Sequence, residues 1–415
     1  MDVVVIGCGA SGVAAIRRLH DAGLKVLGLE AADRIGGRIC TVPFASGTVD
    51  IGAAWCHGEK DNVVFEITNP LDLLGRPDPF ENIYVLSNGD LVDREKGATI
   101  TGALNDEVAK ADKNNSNSIS ECVRKAAKSN ELLKNNGQLT ATFVEWFERS
   151  NHVGGQRDPR RGKSLKGLEE CWPCAGEVFL NWKGRGYKTI LDVLLKPTVQ
   201  CSLKKPTVQH NTLFNPSLPE EKINTINNLQ LAVLGKIYIE FERPWFPKTA
   251  NFTVLWREED KSKFSADEKW ITEIYGLWTV DHQPNVLLAW TYGNGTELME
   301  KVSLEGVKAG IQKLLNVVFK KQFDVTPIKS VIRSQWASNP LARGAYSYRC
   351  VASEENRSSA ILLSEPLYRT NKFPVVCFGG EATSHHRHNS VHGAVEAGFR
   401  EADRLIESFK RLDIK

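Results

Sequence analysis

Gly7-Cys8-Gly9-Ala10-Ser11-Gly12 follows a short apolar run, Val3–Ile6, and opens a stretch with apolar residues at helical spacing. Glycines in this G-x-G-x-x-G pattern suit a pyrophosphate. The first permits a tight turn, the second lets the backbone approach the phosphates with no Cβ between, and the third lets helix and strand pack closely. The N-terminus of the helix adds free N–H groups and the positive end of its dipole. Glu30 closes the next apolar run, eighteen residues past Gly12. A carboxylate at that place can accept hydrogen bonds from ribose hydroxyls. The chemistry these residues suit is the holding of a dinucleotide.

The residues after Glu30 narrow the choice of dinucleotide. Ala31-Ala32-Asp33-Arg34-Ile35-Gly36-Gly37-Arg38 carries a second pair of glycines and an arginine. Gly36 and Gly37 would let the chain pass close to the cofactor, and Arg38 would neutralise a phosphate. An NAD dehydrogenase has no reason to repeat a glycine element here. Lys236 is a candidate of another kind. It lies in the strand-like apolar run Leu231–Phe241, where a lysine is costly to bury unless something polar receives it. The alternative is a side chain that reaches the surface along its aliphatic stem.

The glycine elements resemble those of the FAD-dependent amine oxidases of the polyamine and spermine oxidase type, and further segments extend the resemblance through most of the chain. Asp50-Ile51-Gly52-Ala53-Ala54-Trp55-Cys56-His57-Gly58 looks like the family's loop beside the flavin ring. Gly52, Ala53, Ala54 and Trp55 would contact the cofactor there, and His57 stands where the family places a His or Glu facing the substrate amine. Its alternative is a hydrogen-bonded loop histidine. Gly235–Phe241 with Pro244-Trp245-Phe246 is similar to the strand that carries the family's lysine. By that likeness Lys236 would hold a water against flavin N5. Phe378-Gly379-Gly380-Glu381-Ala382-Thr383 and Ser390-Val391-His392-Gly393-Ala394 form the most specific match. It implies that Gly380 and Glu381 meet the ribityl and phosphate end. The amide of Val391, opening the last helix, would face the pyrimidine oxygen and stabilise the charge of reduced flavin.

The resemblance also adds Ser11 and Ala31 to the cofactor contacts. Trp336 and Gly344-Ala345-Tyr346-Ser347-Tyr348 match the substrate-side segment, with Tyr346 as one aromatic wall of the amine site. Ser390 stands where some members have the opposite tyrosine, which leaves the cage half open, as in the animal spermine-type enzymes. In the family a neutral amine passes a hydride equivalent from its α-carbon to N5. The imine hydrolyses to a carbonyl compound and a shorter amine, and oxygen reoxidises the flavin with release of hydrogen peroxide. The flavin carries the redox chemistry, and the protein supplies positioning and electrostatics. Burial serves this by disfavouring the ammonium form of the amine. No cysteine falls in the residues that match the C-terminal flavin loop, so the FAD is expected to be non-covalent.

The elements that must position these residues are legible in outline. Val3–Ile6, a helix from Ser11 to Ala22, Gly23 as its C-cap glycine and Lys25–Glu30 read as one βαβ unit. Leu231–Phe241 and Val286–Tyr292 read as strands, Ser303–Val318 as an amphipathic helix, Phe373–Phe378 as a short buried strand and Val391–Phe409 as a closing helix. Ser116–Asn136 is polar with weak helical periodicity. At 415 residues the chain is long for one core. The expected architecture is α/β and α+β: a discontinuous Rossmann-like FAD-binding domain with a substrate domain of mixed sheet and helices. Residues 1–85, 185–214 and 346–415 are assigned to the first, and 86–184 and 215–345 to the second.

Composition excludes several classes. The charged fraction is 25% and the net charge only +3, so neither nucleic acid nor an anionic membrane is an expected partner. The basic run 157–163 reads as a solvated loop. No stretch is apolar for long enough to span a bilayer. The chain opens on a strand rather than a signal peptide, and Leu412–Lys415 is not the peroxisomal Ser-Lys-Leu address. Nine scattered cysteines suit reduced thiols inside a cell. Cys171-Trp172-Pro173-Cys174 has redox spacing without the strand-to-helix context such a site needs. His385, His386, His388 and His392 are unevenly spaced, and no metal is expected. The expected state is a cytoplasmic monomer acting on a small polyamine and O2.

One segment departs from the family. Between Gly184-Arg185-Gly186-Tyr187 and Asn215-Pro216-Ser217-Leu218-Pro219 relatives carry several tens more residues, which supply strands of the FAD sheet and a contact to the adenine. Here a short stretch remains, and in it Lys196-Pro-Thr-Val-Gln200 recurs as Lys205-Pro-Thr-Val-Gln209. Two functions are therefore expected in competition. One is an FAD-dependent polyamine oxidase acting on spermine, spermidine or acetylated forms. The other is a truncated, catalytically impaired relative that binds or supports. A histone demethylase relative is a third; it calls for an inserted helical hairpin and an added N-terminal domain, neither of which is found here.

Overall fold

The computed structural model describes residues 1–113, 117–153, 159–195, 201–203, 214–369 and 372–413. Both copies of Lys-Pro-Thr-Val-Gln, and residues 157 and 158 of the basic run, lie outside the described residues.

The N-terminal βαβ unit forms as its sequence pattern demands. Val3–Ile6 and Val26–Glu30 pair in parallel, with Val3 beside Val26 and Ile6 beside Leu29. The helix Ala10–Asp21 joins them and buries Val13, Ala14, Ile16 and Leu19. Gly23 takes φ +84° just past its end, and the Leu24 amide closes back on Leu19. A third strand, Cys201–Leu203, adds in parallel to Val26–Glu30. The shortened segment thus still contributes one strand to this sheet. The closing helix Val391–Asp413 packs across the N-terminal helix, with the Arg18 guanidinium 4.6 Å from the Phe399 ring centre.

A seven-stranded sheet forms the second unit. Its order is Ile328–Arg333, Leu234–Phe241, Gln283–Tyr292, Ile274–Val280, Ala250–Leu255, Glu81–Leu86 and Leu91–Val92. Neighbours in it are antiparallel except Ala250–Leu255 with Glu81–Leu86. Strand periodicity divides its residues between two covered faces. Ile237, Ile239 and Phe241 join the core under helix Leu304–Leu314, while Tyr238, Leu288, Trp290 and Tyr292 form an aromatic layer on the other side. Helices Arg94–Lys110, Ile119–Ser129 and Gly137–Ser150 enclose a third core around Leu104, Val123 and Phe143.

Three readings from the sequence change in detail. The run Leu231–Phe241 is two strands: Gln230–Ala232 pairs with Tyr346–Tyr348, and only Leu234–Phe241 enters the large sheet. The chain changes sheets at Val233, whose carbonyl receives the Gly293 amide at 2.8 Å. Ser116–Asn136 holds two helices, Ile119–Ser129 and Glu131–Asn135; Ser118 and Glu121 form a capping box on the first. The helix begun at Ser303 is α-helical over Leu304–Leu314 and continues with a π-helical turn, Leu315–Phe319.

Candidate active site

The glycine loop is built to receive a ligand. The helix Ala10–Asp21 starts from Gly9 with no side-chain cap and no acidic residue in its first turn. Its first amides have no partner within the helix. A Cβ on Gly12 would fall 1.9 Å from the Gly7 carbonyl oxygen, so the loop closes only with glycine there. A Cβ on Gly7 or Gly380 would meet nothing within 4 Å, and one on Gly9 only the Gly36 oxygen at 3.9 Å. Backbone therefore lines open space beside unpaired helix amides, which fits a pyrophosphate. Glu30 is buried; its carboxylate accepts from the Cys8 amide at 2.8 Å and the Ala32 amide at 2.9 Å. It ties the glycine loop to the next turn and keeps a lone pair on each oxygen. Ser11 and Ala31 lie half-buried on the same rim, and Gly37 is exposed there.

Glu381 ties together segments distant in sequence. Its buried carboxylate accepts from Arg38 Nη1 at 2.7 Å, the Ser347 amide at 3.0 Å, the Ser347 hydroxyl at 2.7 Å and the Asn389 amide at 2.7 Å. Burial alone would raise its pKa, but the Arg38 charge and these donors hold it below the ordinary value. Arg38 also reaches the Ala345 carbonyl at 3.1 Å, and its side chain stays 37% exposed, so N–H groups remain for an anion. Glu381→Gln is expected to lower stability by about 1–3 kcal/mol, since it removes a charge-assisted network from a buried site. A folded pKa below the unfolded one makes this contribution present above the unfolded pKa and lost as pH falls through the folded one. Thermal melts of both proteins at pH 7 and near pH 3 check this: the gap should narrow in acid.

Lys236 sits on the aromatic face of the large sheet, directly opposite Trp290 in register. It is 6% exposed, so it does not snorkel. Its ammonium donates to the Asp50 carbonyl at 2.9 Å and the Gly52 carbonyl at 2.7 Å, and lies 5.0 Å from the Trp290 ring centre. Burial pushes its pKa down to about 8, with the Asp50 charge acting in the opposite sense. Two of three N–H donors are thus committed. The same loop gives its Ile51 carbonyl to Trp336 Nε1 at 2.7 Å, and Tyr238 donates its hydroxyl to the Asp50 carbonyl at 2.8 Å. Three successive carbonyls are claimed by buried donors, which holds the loop of Gly52, Ala53, Ala54 and Trp55 rigidly. A Cβ on Gly52 would lie 2.0 Å from the Arg38 oxygen, so a side chain is excluded there. Asp50 accepts from the Thr41 hydroxyl and the Tyr187 amide, and burial raises it to about 6 despite those bonds.

The remaining candidates divide. His57 donates from Nδ1 to the Val178 carbonyl, which leaves Nε2 as an acceptor. Desolvation lowers its pKa, with the Val178 bond acting against that and the nearby Lys236 charge in the same direction. Ser390 is occupied as a helix cap: its hydroxyl accepts from the Gly393 amide at 3.0 Å and donates to the Arg387 carbonyl at 2.7 Å. Val391 opens the closing helix as expected. Tyr346 lies one residue from the Ser347–Glu381 contact, and its hydroxyl meets His152 Nδ1. The four clustered histidines diverge. His385 meets the Ser364 hydroxyl, His386 stacks on Trp172, His392 lies 3.7 Å from the Cys174 sulfur, and His388 is buried. The sequence reading missed the aromatic layer of Trp278, Trp290, Tyr275 and Tyr292, and His152 beside it. These residues sit at ordinary strand and helix-end positions, and no local motif marks them.

A helix-terminal phosphate cradle beside a small parallel sheet, with a buried lysine on a second sheet, suits a protein that holds a phosphate-bearing cofactor. The chain belongs to the flavin-containing amine oxidoreductases: the sequence pattern of that family matches residues 10–182 and 201–406. It is similar to the human peroxisomal N(1)-acetyl-spermine/spermidine oxidase, at 26% identity over 483 aligned positions covering 97% of this chain and 94% of the relative. A probable polyamine oxidase 5 of Arabidopsis thaliana is 23% identical, with 98% of each chain covered. The mouse lysine-specific histone demethylase 1B is 26% identical, over 97% of this chain and 52% of that protein. The family match breaks between residues 182 and 201, overlapping the shortened stretch. Among the described residues no helix is long and apolar enough to cross a membrane, and no group of three His, Cys, Asp or Glu could hold a metal ion.

Proposed function

We propose that this chain binds FAD non-covalently and oxidises polyamines, spermine, spermidine or their acetylated forms, to an aldehyde and a shorter amine with release of hydrogen peroxide. The observation that carries the reading is Lys236, a buried ammonium held against the Asp50–Gly52 loop with one donor uncommitted. Gly7, Gly9, Ser11, Gly12, Glu30, Ala31, Gly37, Arg38, Gly380 and Glu381 would hold the dinucleotide. Gly52, Ala53, Ala54, Trp55, Trp336 and Val391 would lie along the flavin. When bound, the flavin supplies the oxidation by taking a hydride equivalent from the amine's α-carbon. Lys236 orders a water through its free donor. His57 offers Nε2 as an acceptor to an amine N–H, and desolvation of the bound amine favours its uncharged form. Tyr346 walls one side, and the small Ser390 leaves room for a long chain on the other.

The interleaved division of FAD-binding and substrate domains, a monomeric state and a cytoplasmic setting belong to the same reading. A second reading, an impaired relative, draws support from the shortened segment and from apolar side chains exposed on the FAD sheet, Val4 and Ile6. The purified protein is expected to be yellow, to release FAD on acid treatment, and to form peroxide with spermine or an acetylated polyamine but not with benzylamine. A colourless protein that takes up no FAD supports the impaired relative. Turnover of benzylamine with none of any polyamine overturns the substrate.

A further inference from the structure

His152 lies just past the helix Gly137–Ser150 in the left-handed conformation, with φ +56°. Its amide bonds to the Arg149 carbonyl at 3.1 Å, and the Val153 amide to the Glu148 carbonyl at 2.8 Å. This is the helix stop in which glycine is the usual residue, because glycine enters the left-handed region without a Cβ penalty. A histidine there is unfavourable for the backbone, so its side chain must contribute elsewhere.

That contribution is visible in its contacts. Nδ1 meets the Tyr346 hydroxyl, and Nε2 meets the Tyr275 hydroxyl at 3.2 Å. The His152 carbonyl accepts from the Tyr292 hydroxyl at 2.8 Å. The Tyr292, Tyr346 and Tyr275 ring centres lie 5.3, 5.7 and 6.2 Å from the imidazole. Three tyrosines from three strands converge on one residue. A neutral imidazole carries one donor and one acceptor nitrogen, so it can engage two hydroxyls of opposite role. Burial pushes the ring's pKa down to about 3, and the charge of Lys163 acts in the same direction. His152, Lys163 and Tyr346 keep partial exposure although all three are strongly desolvated.

We propose that His152 is a positioning residue of the amine site, which holds Tyr346 by its hydroxyl while Tyr275 anchors the other ring nitrogen. Ser347 on Glu381 fixes the backbone of that segment, and His152 fixes the ring tip. The inference rests on the reading of Tyr346 as a wall of that site, and two experiments separate the two.

The first needs no turnover. Ring 15N resonances of His152, assigned by their loss in His152→Gly, are expected to stay those of a neutral imidazole down to about pH 4, and to shift in Tyr346→Phe. Titration near pH 6.5, or no response to Tyr346→Phe, overturns the anchor. The second is kinetic. His152→Gly is expected to raise KM for spermine about tenfold, the value of one net hydrogen bond, with kcat nearly kept. Reduction of the flavin by dithionite should not change. The double variant His152→Gly/Tyr346→Phe should be no worse than Tyr346→Phe alone, because the two act through one contact. His152→Asn, which also accepts the left-handed backbone, carries the test if the glycine variant does not fold. An impaired Tyr346→Phe beside an unimpaired His152→Gly overturns the proposal. An unimpaired Tyr346→Phe and Tyr346→Ala removes the reading of the wall beneath it.

Discussion

Lys236→Met is expected to slow amine-driven reduction of the flavin about a hundredfold while the cofactor stays bound, the usual scale for losing one positioned donor in a desolvated site. Methionine fills much the same volume on the strand. It cannot donate to the Asp50 and Gly52 carbonyls, and it cannot hold a water with the third N–H. Cofactor retention should survive, because the phosphate cradle and Glu381 are built from other segments. The pH dependence is specific. Lys236 has a pKa near 8 in the folded chain, below its ordinary value. The buried cation therefore opposes folding below that pH, and the opposition fades as pH rises from about 8 toward the unfolded value. Wild type should gain stability relative to Lys236→Met across that window, and a limb in its rate profile near pH 8 should be missing from the variant. Anaerobic stopped-flow reduction from pH 6 to 10 measures the rates, and parallel melts measure the stability. Equal rates for the two proteins in both half-reactions would reduce Lys236 to a loop anchor.

The parts of the molecule that were legible beforehand are those whose cause is local. The cradle is readable because only glycine closes the Gly7–Gly12 turn, and the neighbouring strands are short continuous apolar runs. Lys236 stands out because a lysine in an apolar strand demands a receiver. The identity of that receiver was not legible: the Asp50 and Gly52 carbonyls are more than 180 residues away, and strand periodicity says nothing about them. Ser390 is legible by analogy as the small residue that leaves the cage half open, but the use of its hydroxyl as a helix cap depends on the Arg387–Gly393 turn that the structure shows. The capping box at Ser118 and Glu121 was present as Ser-x-x-Glu and passed over, because the Lys- and Asn-rich surroundings masked the helical period. His152, Tyr275 and Tyr292 acquire meaning only when three strands and a helix end converge. That convergence is a property of tertiary packing, with no short-range signature.

The largest effect on the behaviour of the protein is expected from the small sheet. Parallel sheets are normally covered on both faces. Here Val5 packs toward the N-terminal helix, whereas Val4 is 49% exposed and Ile6 76% exposed. In register they sit beside Leu27 and Leu29, which are only half-buried, so among the described residues four apolar residues share one incompletely covered face. The alignment with the human relative spans 483 positions against a chain of 415 residues, so at least 68 positions of it have no counterpart here. Residues supplied by relatives in the shortened stretch would account for both the missing cover and a missing contact to the adenine. The stability of a domain is only about 5–15 kcal/mol in total, and an open apolar sheet face invites association. FAD is therefore expected to bind with a Kd of about 1 µM or weaker, and the protein to aggregate on mild warming. Ile6→Thr keeps a β-branched residue in the strand and makes the face more polar, so it should suppress aggregation without lowering the melting temperature. Light scattering during a thermal ramp and fluorescence titration of the apoprotein with FAD measure the two effects. Stoichiometric tight binding and a cooperative, scatter-free melt would mean that this face is covered by the chain itself and that the shortened segment costs the fold nothing.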